Sequence, residues 1–166
     1  MAVRAVLRLP DSVLGRPAQP VGVVDDRALS LAADLIDTMV ASPACVGLAA
    51  PQIGVGLRAF VVDVSGHKKA PTAHGRVVMF DPVVVHAEGE VRAREGCMSV
   101  PDLTGDVVRP GRITVRGMGL DGAEITLTVE GFEARAYSHE LDHLDGLLFL
   151  DRVDGPHSVH RRKVYR

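Results

Sequence analysis

Apolar side chains between Asp26 and Ser42 recur every three or four residues, which is the spacing of one helix face. Asp25 or Asp26 can cap the start of this helix, and the Ser42-Pro43 pair ends it. The repeat predicts an N-terminal helix that covers one side of a sheet. Its apolar face comprises Leu29, Ala32, Leu35, Ile36, Met39 and Val40.

The middle of the chain has the short apolar runs and period-two alternation of β-strands. The predicted strands are residues 57–64, 77–80, 83–86, 90–94, 113–118 and 124–129, with a break at Asp81-Pro82. A hairpin turn is expected at Leu120-Asp121-Gly122, between the last two strands. A second helix is predicted over residues 131–144, ending at Asp145-Gly146. The first 25 residues show little periodicity and are expected to form an irregular arm.

Strands enclosed between two helices favour an α+β fold. We predict mostly antiparallel β-sheets packed around the C-terminal helix, with the N-terminal helix covering one side. The 166 residues are enough for one domain, 1–166, of which residues 155–166 form a basic tail.

Composition narrows the function classes. The chain is 46% hydrophobic and 24% charged, as globular proteins are, and its net charge of −2 disfavours a general nucleic-acid binder. Aromatic residues make up only 4%, too few for base-stacking platforms. Two cysteines exclude a disulfide scaffold, and no apolar run approaches the ~20 residues of a membrane span. The N-terminus lacks a signal peptide's pattern, so we expect a cytoplasmic protein without membrane contact.

The sharpest motif is His139-Glu140-Leu141-Asp142-His143. A spacing of four places both imidazoles on one helix face, where they can chelate a metal ion. A metal ion lowers the pKa of bound water, and Glu140 lies where a carboxylate can take the released proton. The structural alternative is a surface helix with a chance histidine pair.

Catalytic metal sites usually have a third protein ligand. Cys97 is the best candidate, because Gly96 allows close backbone approach and Glu95 is adjacent. A buried structural thiol is the alternative for Cys97. Cys45 is a rival ligand, and a zincin peptidase would instead draw one from downstream, where His157 and His160 lie.

The run Gly47-Leu48-Ala49-Ala50-Pro51-Gln52 combines small side chains with one amide. Small residues let a loop approach a substrate closely, and the Gln52 amide can donate to a developing oxyanion. Taken alone, this run is equally a turn packed with small residues.

Together, the segments 46–52, 95–99 and 139–143 resemble the three signature motifs of the peptide deformylases, in that family's order and spacing. The resemblance implies removal of the formyl group from the N-terminal formylmethionine of nascent bacterial or organellar polypeptides, with release of formate. It also implies a metal held by Cys97, His139, His143 and water. The family metal is typically Fe²⁺, and Zn²⁺, Ni²⁺ or Co²⁺ can replace it.

By the same resemblance Glu140 is the general acid and base, and Gln52 and the backbone N–H of Met98 are oxyanion donors. The substrate cleft is formed around Val46, Gly47, Leu48 and Gly96. The chain departs from the family pattern at Cys45, Thr104 and Ser138, so its rate or substrate preference can differ.

Further expectations concern charge. Asp142 points away from the metal face and is expected to pair with Arg109 or Arg112, while Glu95 orients a neighbour. The basic segment 160–166 is either a solvated end or a contact for ribosomal RNA.

We expect the protein to be a monomer. The alternatives to a deformylase are a metal-dependent amidase or peptidase on another small N-acyl substrate, and a metal-free binding module.

Overall fold

The computed structural model describes residues 2–163. Two α-helices, α1 (Asp26–Ala41) and α2 (Gly131–Leu144), enclose most of the strands in chain order. The strands are β1 (Gly47–Ala49), β2 (Ala59–Val62), β3 (Val77–Glu88), β4 (Val91–Cys97), β5 (Val100–Arg109), β6 (Arg112–Met118), β7 (Glu124–Glu130) and β8 (Val159–Arg161). The N-terminal arm is irregular apart from one short 3₁₀ turn, Ser12–Gly15, as predicted.

The strands form two sheets, and all neighbouring strands within each sheet run antiparallel. One sheet has the order β1-β2-β3-β6-β7, and the other has the order β4-β5-β8. This confirms the predicted α+β class. Cys97 ends β4 and is thereby carried from the smaller sheet toward α2.

Strand β2 is covered by a helix on each face, so all four of its residues are buried. Phe60 and Val62 belong to the core cluster that contains α2 residues. Ala59 and Val61 belong to the core cluster that contains α1 residues. A strand covered on both faces is apolar throughout rather than alternating. Strand β2 therefore lies between the two helices and packs against both.

Both helices begin and end close to their predicted limits. The Asp25 carboxylate accepts a hydrogen bond of 3.0 Å from the Ala28 backbone N–H and caps α1. Helix α2 ends at Leu144 with Asp145 as its C-cap, after which Gly146 adopts a φ of 77°. A Cβ on Gly146 would lie 2.8 Å from the backbone carbon of Arg16, so the close packing of the arm also requires glycine there.

The break predicted at Asp81-Pro82 is wrong, because β3 runs through it as one irregular strand. Asp81 has a φ of 50°, and the register with β6 shifts between Phe80 and Val83. The Asp81 carboxylate accepts hydrogen bonds from the N–H groups of Val21 (2.7 Å) and Gly22 (2.9 Å). These bonds hold the irregularity, which bends the strand without ending it.

Three strands were not predicted: β1, β5 and β8. Strand β5 pairs with β4 along its length, and β8 pairs with β5 through Leu103–Arg161 and Thr104–His160. Residues 160 and 161 of the basic segment are therefore paired with β5 rather than forming a free end, while residues 164–166 lie outside the described part of the chain. In residues 2–163, no helix has the length and apolar character that a bilayer crossing requires.

Candidate active site

Three potential metal ligands converge where β4 meets α2. Cys97 Sγ lies 3.3 Å from His143 Nε2, and the ligand atoms of Cys97, His139 and His143 are all within 4.8 Å of one another. Helix α2 supplies both imidazoles from positions four residues apart, and their ring centroids are 5.0 Å apart. The structure thus brings the three predicted ligands together.

The donor set fits a first-row divalent metal ion. A tetrahedral ion with bonds of about 2.3 Å to sulfur and about 2.1 Å to nitrogen separates these two atoms by about 3.6 Å, close to the observed 3.3 Å. Thiolate and imidazole favour iron or zinc over magnesium or calcium. Burial lowers the pKa of His143, which keeps its imidazole in the neutral form that binds metals.

A buried charge network orients the first histidine. The Glu95 carboxylate accepts a hydrogen bond of 2.9 Å from His139 Nδ1, which leaves Nε2 of that ring directed at the cluster. Arg109 and Arg135 hold the same carboxylate at 2.8 and 2.6 Å. Burial alone would raise the pKa of Glu95, but Arg109 and His139 outweigh it and hold the pKa well below its usual range.

The same network confirms the predicted structural role of Asp142. Its carboxylate pairs with Arg109 at 2.5 Å and with Arg152 at 2.9 Å. Arg112, the other predicted partner, instead lies 3.7 Å from Glu88 at the surface. Arg109, at the end of β5, therefore joins β4, through Glu95, to α2, through Asp142.

Glu140 lies beside the ligands in an environment that suits proton transfer. The residue is 4% exposed, and its Oε2 has no hydrogen-bond partner within the described chain. Burial, reinforced by the charge of Glu95, raises the pKa of Glu140 to about 7 despite the opposing effect of His139. A carboxyl group with such a pKa can both accept and return a proton near neutral pH.

Gly47 makes room for this carboxylate. A Cβ at position 47 would lie 2.8 Å from Glu140 Oε1 and 3.1 Å from its Cγ. Any larger residue at position 47 would have to displace the Glu140 side chain. The small-residue run predicted to be a close-approach segment is therefore a short strand followed by the 3₁₀ turn Ala50–Ile53.

Gln52, at 2% exposure, has a fixed amide orientation. Its Oε1 accepts from the Ala49 N–H at 3.0 Å, while Nε2 donates to Ser99 Oγ at 3.2 Å and faces Cys97 Sγ at 3.6 Å. The donor end of the amide is thus directed toward the ligand cluster.

A cavity of about 690 Å³ opens onto these groups. Val46, Gly47, Gly96 and Met98 all line it. Leu48 does not line it, which corrects its predicted place beside the substrate. Strand alternation turns the Leu48 side chain to the opposite sheet face, where it is fully buried in the cluster around α1.

The rival ligands lie elsewhere. Cys45 contacts the Gly47 carbonyl oxygen at 3.1 Å, and burial raises the pKa of its thiol to about 11. His157 lies 3.3 Å from Asp154, and His160 lies 2.9 Å from Asp106. None of the three belongs to the ligand cluster of the described residues.

Sequence reasoning missed several residues that line the cavity or support the cluster. Arg135 precedes His139 by one helical turn, so the i, i+4 spacing of α2 could have indicated it. Phe132 also lines the cavity, and it lies one helical turn before Ala136, which lines the cavity as well. Arg162 and Lys163 also line it, but only the pairing of β8 with β5 places them there.

Fold and site together define a protein in which two sheets and one helix assemble a Cys-His-His cluster that could hold a metal ion beside a buried carboxylate, the arrangement of metal-dependent hydrolases. The family model described as polypeptide deformylase matches residues 3–159. The chain belongs to the peptide deformylase family.

Individual relatives agree along nearly the whole chain. The curated peptide deformylase of Desulforudis audaxviator is 43% identical over 164 residues, covering 98% of this chain and 99% of the relative. The peptide deformylase of Halothermothrix orenii is 40% identical over 153 residues, covering 92% of this chain and 95% of the relative. The solved peptide deformylase of Legionella pneumophila superposes with a TM-score of 0.84 at 40% identity, covering 93% of this chain and 88% of that one.

Proposed function

We propose that this chain hydrolyses the N-formyl group of N-formylmethionyl peptides and releases formate. One observation carries the proposal: in a chain of the deformylase family, the ligand atoms of Cys97, His139 and His143 lie within 4.8 Å of one another beside the buried Glu140. The family match supports this substrate over the alternative classes, another small N-acyl compound or an internal peptide bond.

Cys97, His139 and His143 would hold one divalent metal ion. The thiolate and two imidazoles support Fe²⁺ as the proposed ion, with Zn²⁺, Ni²⁺ or Co²⁺ able to use the same donors. When bound, the ion supplies Lewis acidity that acidifies water and polarises a carbonyl group.

Glu140 performs the proton transfers. Its carboxylate takes a proton from the water whose oxygen bonds to the formyl carbon, and then delivers that proton to the departing nitrogen as the C–N bond breaks. The products are formate and a free amino terminus. A pKa of about 7 lets one group serve in both directions.

Two N–H groups would donate hydrogen bonds to the formyl oxygen. We assign Gln52 Nε2 and the backbone N–H of Met98 to this role, because both residues border the cavity beside Cys97. The Gln52 amide is held in place by Ala49 and Ser99, so its donor needs little reorganisation as charge develops on the oxygen.

The cavity suits a formylated methionine. Apolar side chains of Val46, Phe132 and Ala136 line it near His139 and would contact the methionine side chain. Gly47 and Gly96 border the reacting centre, where space is so limited that Glu140 fills the place of a Cβ on Gly47. A formyl group bears only hydrogen on its carbonyl carbon, which favours it over an acetyl group.

The wider setting is part of the same proposal. Residues 1–166 would act as one monomeric catalytic domain in the cytoplasm of a bacterial-type cell. The exposed Arg161 would contact ribosomal RNA near emerging chains, an interaction that salt should weaken.

The test is anaerobic purification with Fe²⁺, metal analysis, and formate release from formyl-Met-Ala-Ser. Wild type should release formate, and Glu140→Ala should lower kcat by about 10²–10⁴-fold. Glu90→Ala, which removes an exposed carboxylate, is the matched control and should retain activity. Wild-type protein with a full metal complement and no formate release would refute the proposed function.

A further inference from the structure

The outer end of the active-site cavity is formed by the C-terminal segment. Strand β8 pairs with β5, and the Arg162 backbone N–H then donates to the Asp102 carbonyl oxygen at 2.9 Å. His160 adds an ion pair of 2.9 Å with Asp106 on β5. Arg162 and Lys163 are therefore anchored where their side chains line the cavity.

The Arg162 guanidinium lies directly over Gly96. A Cβ built on Gly96 would meet Arg162 Nη2 and would lie 3.2 Å from its Cζ. Gly96 precedes Cys97, so this guanidinium lies one residue of chain from a candidate metal ligand. An extended peptide advances about 3.3–3.6 Å per residue, so the second or third residue of a bound substrate can reach it.

Arg162 and Lys163 differ from the other charged residues around the cavity. Arg94 is paired with Asp106, and Arg135 is paired with Glu95. In residues 2–163, neither Arg162 nor Lys163 has an acidic partner within ion-pair distance. Both side chains are exposed, so their positive charge is available to a ligand in the cavity.

We propose that Arg162, assisted by Lys163, binds a carboxylate carried by the substrate at the second or third residue, and so favours acidic formyl-peptides. This inference rests on the proposed function. A guanidinium can donate two parallel N–H bonds to one carboxylate, whereas a neutral amide side chain offers a single acceptor oxygen without charge. Because the site is open to water, the preference should be about three- to fivefold, as for exposed ion pairs.

The experiment compares amidated peptides that differ only in one charge. Formyl-Met-Glu-Ala-NH₂ and formyl-Met-Ala-Glu-NH₂ are each paired with the peptide containing Gln in place of Glu. Wild type should prefer Glu at one of the two positions by about three- to fivefold in kcat/KM, through KM rather than kcat. Arg162→Gln should abolish that preference while leaving kcat on the Gln peptides unchanged, and added salt should reduce it in wild type.

Arg161→Gln is the matched control, since Arg161 is an exposed neighbour in β8 that does not line the cavity. It should keep the preference. A second readout needs no turnover: NMR titration of the deformylated Met-Ala-Glu-NH₂ and Met-Glu-Ala-NH₂ should show tighter binding than their Gln counterparts to wild type but not to Arg162→Gln.

Equal kcat/KM and equal affinity for Glu and Gln peptides would overturn the inference while leaving the deformylase function intact. Loss of the preference in Arg161→Gln to the same extent would also overturn it, because the effect would then be one of general surface charge. Failure to release formate from any peptide would refute the proposed function instead, and the titration would still decide the role of Arg162.

Discussion

The two ends of the cavity are built on opposite principles. At the inner end, Cys97, His143, Glu140 and Gln52 are buried, and Cys97 lies within 3.3 Å of His143 Nε2 and 3.6 Å of Gln52 Nε2. At the outer end, Arg162 and Lys163 are exposed cations attached to a three-residue strand. Substitutions at the inner end should therefore have large, shared effects, whereas those at the outer end should be small and separable.

The largest effect is expected from Arg109→Leu. This change would leave Glu95 and Asp142 as buried carboxylates without their common partner, at a cost of about 3–5 kcal/mol in the free energy of unfolding. Urea denaturation of the two proteins measures it. Arg112→Leu, which breaks only the half-exposed 3.7 Å contact with Glu88, should cost less than about 1 kcal/mol. Equal losses in the two variants would contradict the distinction between the buried network and the surface.

A smaller effect, confined to catalysis, is expected from Gly47→Ala. The added Cβ would lie 2.8 Å from Glu140 Oε1 and so displace the carboxylate. A shift of that kind should lower kcat for formate release by about 10²-fold. Gly56→Ala is the control, because its Cβ would meet no atom within 4 Å. Unchanged kcat in Gly47→Ala would show that the Glu140 side chain tolerates another position.

The smallest effect is expected at the outer end, from Asp106→Asn. Hydrogen bonds from His160 and then Arg94 lower the pKa of Asp106 below its usual 3.8. A carboxyl whose pKa is depressed by folding stabilises the folded state above the unfolded pKa, and that contribution disappears as the pH falls through the folded value. Asp106→Asn should thus lower Tm slightly at pH 7, and the difference from wild type should close below about pH 4.

Asp102→Asn provides the comparison for that measurement, as Asp102 is an exposed carboxylate of the same strand without an ion pair in the described residues. Its Tm should follow wild type at every pH. A gap between Asp106→Asn and wild type that stays constant from pH 7 to pH 3 would show that the ion pairs of Asp106 do not anchor β8.

Local sequence patterns predicted the elements that have one apolar face and one polar face. Helix α1, the β6–β7 hairpin and helix α2 follow from periodicity and from caps such as Asp25 and Gly146. Strand β5 carries Pro101, Asp102 and Gly105 and has no regular alternation, so its pairing with β4 supplies what its own sequence does not. The Asp81 bulge likewise depends on N–H donors some 60 positions earlier in the chain.

The sequence by itself determined that His139 and His143 share a helix face with Glu140 beside them, because helical geometry is local. It also supplied the signature segments that resemble the deformylase family. Only the tertiary structure decided that Leu48 faces the core and that Arg109 pairs with Asp142. The tertiary structure also placed Arg162 over Gly96. These contacts join residues that are far apart along the chain, and no sequence pattern indicates which distant residues will meet. Their positions follow from strand pairing and shared burial, which depend on the whole fold.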